Sequence, residues 1–121
     1  INWFGITDVA DLLDGPNKQS YAVEWLGSQM NREEIARRVS PLTYVRPGLP
    51  PILTIHGDAD PTVPYSHATR LHRELQKQGV PNQLITVAGG NHGGFSRAEY
   101  EKILVAVREF LARYRLLPAS Q

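Results

Sequence analysis

The 121 residues amount to one domain's worth of chain, 41% hydrophobic, with 13 Lys and Arg against 12 Asp and Glu for a net charge of +1. That balance offers no basic stripe for nucleic acid or an anionic membrane and no acidic tail, and the apolar runs are too short to span a bilayer. The absence of cysteine excludes a disulfide framework and thiolate chemistry while leaving the compartment open.

Ile1 to Ile6 is rich in β-branched and aromatic residues and is expected to be a short buried strand. The chain opens on Ile1 with no charged leader, like the middle of a strand, so the expectation is that it begins inside a fold whose earlier part precedes it. Thr7 to Lys18, with Asp8, Asp11 and Asp14-Gly15-Pro16-Asn17, reads as a loop holding at most one helical turn. Ser20 is placed to cap a short helix, Tyr21 to Leu26, that stops at Gly27. Asn31 with Glu34 has capping-box spacing for a helix to about Val39 that Pro41 ends. Leu42 to Pro51 is expected to be extended.

Ile52 to His56 is a continuous apolar run, the pattern of a strand covered on both faces. Pro64 suits the first turn of a helix to Gln78, with Gly79 as its stop. Ala68, Leu71, His72 and Leu75 form its narrow apolar face. Gln83 to Val87 is the next strand, followed by the loop Gly89-Gly90-Asn91-His92-Gly93-Gly94. Ser96 and Glu99 form a second capping box. The last helix aligns Tyr100, Ile103, Leu104, Val107, Phe110, Leu111 and Tyr114 in a stripe that needs a sheet beneath it. Strands alternating with helices point to an α/β fold with a parallel sheet. Three strands make a poor sheet with two unpaired edges, so the sequence looks like part of a larger domain.

In such sheets ligands sit beyond the carboxyl ends of the strands. Asp58 and Asp60 follow one such end and His92 follows the next, so a carboxylate and an imidazole open on the same edge, as an acid–base pair requires. Asp58, directly after Gly57, is suited to bond backbone N–H groups two residues on and shape the turn. Asp60 precedes Pro61, which holds it extended and projects its side chain outward, making it the better reagent. Four glycines around His92 permit positive φ and close backbone approach, more than a connecting loop needs. A divalent metal held by His56, Asp58, Asp60 and His92 is the rival arrangement. It would require two carboxylates flanking a tight turn to converge, and no zinc-hydrolase signature is present.

The stretch from Pro50 to Phe95, PPILTIHGDADPTVPYSHATRLHRELQKQGVPNQLITVAGGNHGGF, resembles the C-terminal part of α/β-hydrolase-fold carboxylesterases. The nearest resemblance is to the bacterial group that includes feruloyl and acetyl-xylan esterase-like proteins, with kinship to prolyl-oligopeptidase-type peptidases. Trp3 to Leu13 and Ser40 to Val45 are similar to that group's segments before the acid strand. The resemblance implies that residues 1–121 are the C-terminal half of a single α/β-hydrolase domain, with 7–50 a helical and loop excursion between strands. It places the triad acid on Asp60 and the triad base on His92, with Asn91 where a small residue is common. It implies a small-molecule ester substrate and no cofactor or metal. It also implies a partner segment: the N-terminal half of the same domain, carrying the nucleophile Ser and the oxyanion hole.

That last implication agrees with the residues present. Such hydrolases need G-x-S-x-G, earlier in the chain than the Asp and the His. None of Ser20, Ser28, Ser40, Ser66, Ser96 and Ser120 has glycine two residues away on both sides. A serine peptidase of the prolyl-oligopeptidase type and a non-catalytic binding module on the same scaffold are the alternatives. Phe4 and Gly5, ending the first strand, are candidate substrate-pocket residues. Tyr21, Trp25, Met30 and Tyr44 lie where this fold often inserts a substrate wall, with core packing the expected role. His67 and His72, five apart, do not share a face as i, i+4 ligands would and are expected to be solvated or half-buried. His56 is expected to pack and hydrogen-bond locally. Arg32, Arg37 and Arg38 read as a solvated helix face.

Overall fold

Three parallel strands organise the chain in the computed structural model, which describes residues 1–117. They are β1 (Asn2–Trp3), β2 (Ile52–Gly57) and β3 (Asn82–Val87), hydrogen-bonded in the order β1-β2-β3. Thr54 stands opposite Asn2 on one side and Leu84 on the other. The helices are α1 (Ser20–Leu26), α2 (Arg32–Arg38), α3 (Ser66–Lys77) and α4 (Arg97–Arg113), with short 3₁₀ turns at Ala10–Leu12, Gly15–Asn17 and Pro41–Tyr44. This is an α/β fold. No helix among the described residues is long and apolar enough to cross a membrane.

The apolar run of β2 is used on both faces, as its composition requires. Leu53 and Ile55 pack with Ile103 and Phe110 of α4. Ile52 packs with the cluster formed by Leu71 and Leu75 of α3 and Val80. A third cluster of Val9, Leu12, Leu13, Ala22, Leu26 and Ala36 gives the segment between β1 and β2 a small core of its own.

Several local expectations need correction. β1 is only two residues long, because Phe4 takes φ +38° and bends the chain away, although its N–H still donates to the Ile55 carbonyl at 2.8 Å. Ser20 is the first residue of α1 rather than its cap, and Asn31 stands at the start of α2 without a side-chain capping bond. Pro41–Tyr44 is a 3₁₀ turn, not extended. Only Ile103 and Phe110 of the α4 stripe are fully buried, whereas Leu104 is exposed. The Ser96–Glu99 capping box is present in both directions, and Gly79 follows α3 with φ +67°.

Candidate active site

β2 and β3 end in register, Gly57 beside Val87, so the loops that follow leave the sheet together. They are stitched by their backbones. Asp58 N–H donates to the Val87 carbonyl at 3.2 Å and Ala59 N–H to the Gly90 carbonyl at 3.1 Å. Gly57 and Gly90 pass so closely that a Cβ on Gly57 would overlap the Gly90 carbonyl.

Within this frame the two aspartates divide their work differently from the sequence-based expectation. Asp58 does not fold back on its own turn: its Oδ1 accepts from Gly89 N–H, across in the glycine loop, at 2.6 Å. Asp60 makes its own turn and also faces the histidine. Its Oδ1 accepts from Thr62 N–H at 2.8 Å and Val63 N–H at 2.9 Å, and its Oδ2 lies 2.8 Å from His92 Nδ1. An aspartate followed by proline is a turn-former too, since Pro61 fixes the backbone so that the next amides curl onto the carboxylate.

The Asp60 side chain is 0% exposed and that of His92 35%. Burial pushes the Asp60 carboxyl up, but the Val63 amide, His92 and the Thr62 amide together outweigh it, and the group sits below the usual carboxylate range. A carboxylate accepts only, so His92 Nδ1 carries the hydrogen and Nε2 is the nitrogen left to meet a reactant. A buried anion on Nδ1 fixes the tautomer and stabilises charge on the ring when it takes a second proton.

His92 opens on a pocket of about 350 Å³ whose walls include Phe4, Gly5, Ile6, Tyr21 and Val63. The Phe4 ring lies 4.5 Å from the His92 ring, centre to centre, at 57°. Its φ of +38° is rare for a bulky residue and marks a position held by its surroundings. Gly5 N–H donates to Asn2 Oδ1 at 3.1 Å, and a Cβ on Gly5 would strike that oxygen. Tyr21 reaches the same place from α1, donating to the Thr62 carbonyl at 2.8 Å. Burial and then the Asp60 charge raise its phenol above the ordinary value.

The other candidates fall elsewhere. Trp25 is 64% exposed, and Met30 and Tyr44 are also open to solvent, so they do not pack in the core as expected. Arg37 pairs with Glu33 at 3.7 Å on an exposed helix face. With Asp58 turned to Gly89, the set His56, Asp58, Asp60 and His92 does not converge on one point.

His67 and His72 are buried, not half-solvated. His67 Nδ1 accepts from Thr7 N–H at 3.1 Å and Asp8 N–H at 3.4 Å, while Nε2 faces Asp11 Oδ2 at 3.3 Å. Arg70 adds ion pairs to Asp8 and, at 3.3 Å, to Asp11. The partners of His67 lie about sixty residues away, which no local pattern reveals. His56 packs and hydrogen-bonds locally, as expected, with Nε2 3.0 Å from the Val63 carbonyl; Asp60 Oδ2 is 3.3 Å from the same nitrogen. That nearness to Asp60 is outside the expectation, and its only signal is the position of His56 at the end of the strand leading into Asp60.

A parallel sheet with helices on both faces, with an aspartate and a histidine meeting beyond adjacent strand ends, belongs to the α/β-hydrolase class. Residues 1–75 match the family model BD-FAE, and the chain belongs to that family, an esterase-type α/β-hydrolase family. Among solved structures, Thermogutta terrifontis esterase 2 phosphoramylated by tabun is 30% identical with TM-score 0.67, covering 84% of this chain and 38% of its own. The butyrate-bound form of that esterase gives 33% identity and TM-score 0.63, covering 71% and 33%. A truncated carbohydrate esterase from gut microbiota is 31% identical with TM-score 0.70, covering 89% and 40%. The chain thus spans no more than two fifths of the length of these esterases.

Proposed function

We propose that the chain is the C-terminal half of a single α/β-hydrolase domain that cleaves carboxylic esters, with residues 7–50 as an excursion that walls the site. In this reading Asp60 and His92 are the acid and base of a Ser-His-Asp triad. The nucleophilic serine and the oxyanion-hole donors come from the other half of the domain. The observation that carries the reading is the 2.8 Å contact between buried Asp60 Oδ2 and His92 Nδ1 at the pocket mouth.

The chemistry follows from that geometry. His92 Nε2 takes the serine proton as Oγ attacks the ester carbonyl carbon, and Asp60 stabilises the resulting imidazolium. As the tetrahedral intermediate collapses, the carbon–oxygen bond to the alcohol breaks and His92 returns the proton to the leaving oxygen. Water then attacks the acyl-serine, giving a proton to Nε2 that passes to serine as the acid departs. Phe4 and Gly5 form the substrate wall beside the imidazole. The esterases similar to this chain support the reaction type.

The test uses the polypeptide that joins this chain to the nucleophile-bearing half. Asp60→Asn is expected to lower turnover of a simple ester by about 10⁴-fold, the loss that follows from neutralising a triad acid. Asp58→Asn, which keeps an oxygen for Gly89 N–H, is expected to cost less than about tenfold. An active Asp60→Asn enzyme alongside an inactive Asp58→Asn enzyme would transfer the acid role to Asp58.

A further inference from the structure

We infer that His56 is a positioning residue for the triad acid, acting through the Val63 carbonyl to close the turn that holds Asp60. The inference rests on the proposed hydrolase reading for its catalytic consequence, although its geometry stands independently. His56 is the second-to-last residue of β2 and is completely buried. Its Nε2 faces the Val63 carbonyl at 3.0 Å and Asp60 Oδ2 at 3.3 Å. Both neighbours are oxygens that accept, so Nε2 carries the hydrogen. That hydrogen goes to the Val63 carbonyl, while Asp60 Oδ2 lies beside the same nitrogen at 3.3 Å without a hydrogen bond to it.

Asp60 Oδ2 therefore meets two imidazole nitrogens, His92 Nδ1 on the pocket side and His56 Nε2 on the interior side. Oδ2 is held by His92 Nδ1 at 2.8 Å and Oδ1 by the Thr62 and Val63 amides. Those amides stay aimed only while the turn keeps its shape, and the bond from His56 to the Val63 carbonyl closes that turn.

The other ring nitrogen shows that this arrangement is more than filling. Nδ1 of His56 is buried without a hydrogen-bond partner among the described residues, an unfavourable state for a polar atom. A leucine or phenylalanine would occupy the space without that burden. What an apolar side chain cannot supply is the N–H toward the Val63 carbonyl. The ring is kept in its plane by Tyr65, edge to face at 5.8 Å, and Tyr65 is itself hydrogen-bonded to Thr86 of β3 at 2.5 Å.

The experiment compares wild type, His56→Leu and His56→Gln in the polypeptide carrying the nucleophile; Gln can offer an N–H near the position of Nε2. His56→Leu is expected to lower kcat roughly 10- to 100-fold, the range for leaving the buried Val63 carbonyl unpaired, with KM little changed. His56→Gln should recover most of that loss. The second readout is the proton NMR signal of His92 Nδ1–H, sharp in wild type and His56→Gln, broadened by exchange with water in His56→Leu. Should His56→Leu fail to fold, His56→Asn, too short to reach the Val63 carbonyl, takes its place in both measurements. A folded donor-less variant with unaltered kcat and a sharp His92 signal would overturn the assignment, as would equal losses in His56→Leu and His56→Gln. The NMR readout needs no turnover, so a wild type without esterase activity would sink the proposed reaction and leave this test intact.

Discussion

The separation between Asp60 and His92 is set by main chain before it is set by side chains. Gly57 stands where β2 gives way to the acid loop, and its missing side chain is what lets the Gly90 carbonyl come close. The neighbouring hydrogen bonds, Ala59 N–H to Gly90 and Gly89 N–H to Asp58, depend on the same approach. Gly57→Ala forces a methyl group into carbonyl backbone that has nowhere to retreat, a cost of about 1–3 kcal/mol for overpacking. The expected result is a lower urea midpoint together with lower turnover in the joined polypeptide, because the base is pushed from the acid. A variant destabilised yet fully active would show that the spacing is fixed elsewhere. Gly93 is small for a second reason: at φ +79° it lies against the Phe4 ring, which a Cβ would meet at 3.3 Å. The close approach expected of the glycines around His92 is thus made at Gly90 and Gly93, whereas Gly89 and Gly94 have open space where a Cβ would stand.

The elements show which sequence patterns transfer to structure and which do not. Ser96 and Asn31 carry the same capping spacing, but only Ser96 uses it. Ser96 has φ −62° and ψ 157°, extended as a cap must be, and its Oγ accepts from Glu99 N–H while Glu99 Oε2 accepts from Ser96 N–H. That reciprocal bond draws the exposed Glu99 carboxyl below its ordinary range. Asn31 has φ −103° and ψ 22°, a backbone that points its side chain away from the helix amides. Replacement of Ser96 by Ala is expected to cost about 1 kcal/mol, whereas Asn31→Ala should cost no more than a few tenths. Paired denaturant titrations check the contrast, and equal losses would contradict it. Spacing was legible because it is local; the dihedral angle was not, because the preceding turn sets it. β2, α3, β3 and α4 were legible for the same reason, through apolar runs, helical spacing and the stop at Gly79, although Pro64 precedes the Tyr65 N-cap and is not in the first turn of α3. β1 was cut short by the bend at Phe4, which is held by packing against His92 and Phe95. Asp60 and His92 were legible as residues at neighbouring strand ends. The contact of His56 with Asp60 was hidden, since strand periodicity says nothing about a ring that reaches a following loop.

At the scale of the whole molecule, the segment between β1 and β2 is a small packed unit tied to α3 through buried His67 and the ion pairs of Arg70. Protonating His67 at Nδ1 would place a hydrogen where Thr7 N–H already donates. Burial is the main cause that holds His67 below its ordinary value of 6.5; Asp11 and Asp8 oppose it and Arg70 adds to it. Burial lowers His72 in the same way, opposed by its bond to Asn82. For a base whose folded value is depressed, the unfolded chain takes the proton first. The stability is complete above 6.5 and is lost as pH falls from there toward the folded values. Asp60, also depressed, adds a loss only at lower pH, beneath its ordinary 3.8. The urea midpoint is therefore expected to decline as pH falls below about 6.5, and less steeply in His67→Asn, which keeps an acceptor but cannot titrate there. Identical slopes would remove His67 from the account. The same architecture bears on how such a molecule diversifies. The wall that α1 presents has its own hydrophobic centre and touches the acid loop through Tyr21 and Gln19, which meet the carbonyls of Thr62 and Pro61. In the proposed enzyme, mutations can therefore redraw what the pocket admits while Asp60 and His92 keep their alignment, so selectivity and reactivity are free to evolve on separate clocks.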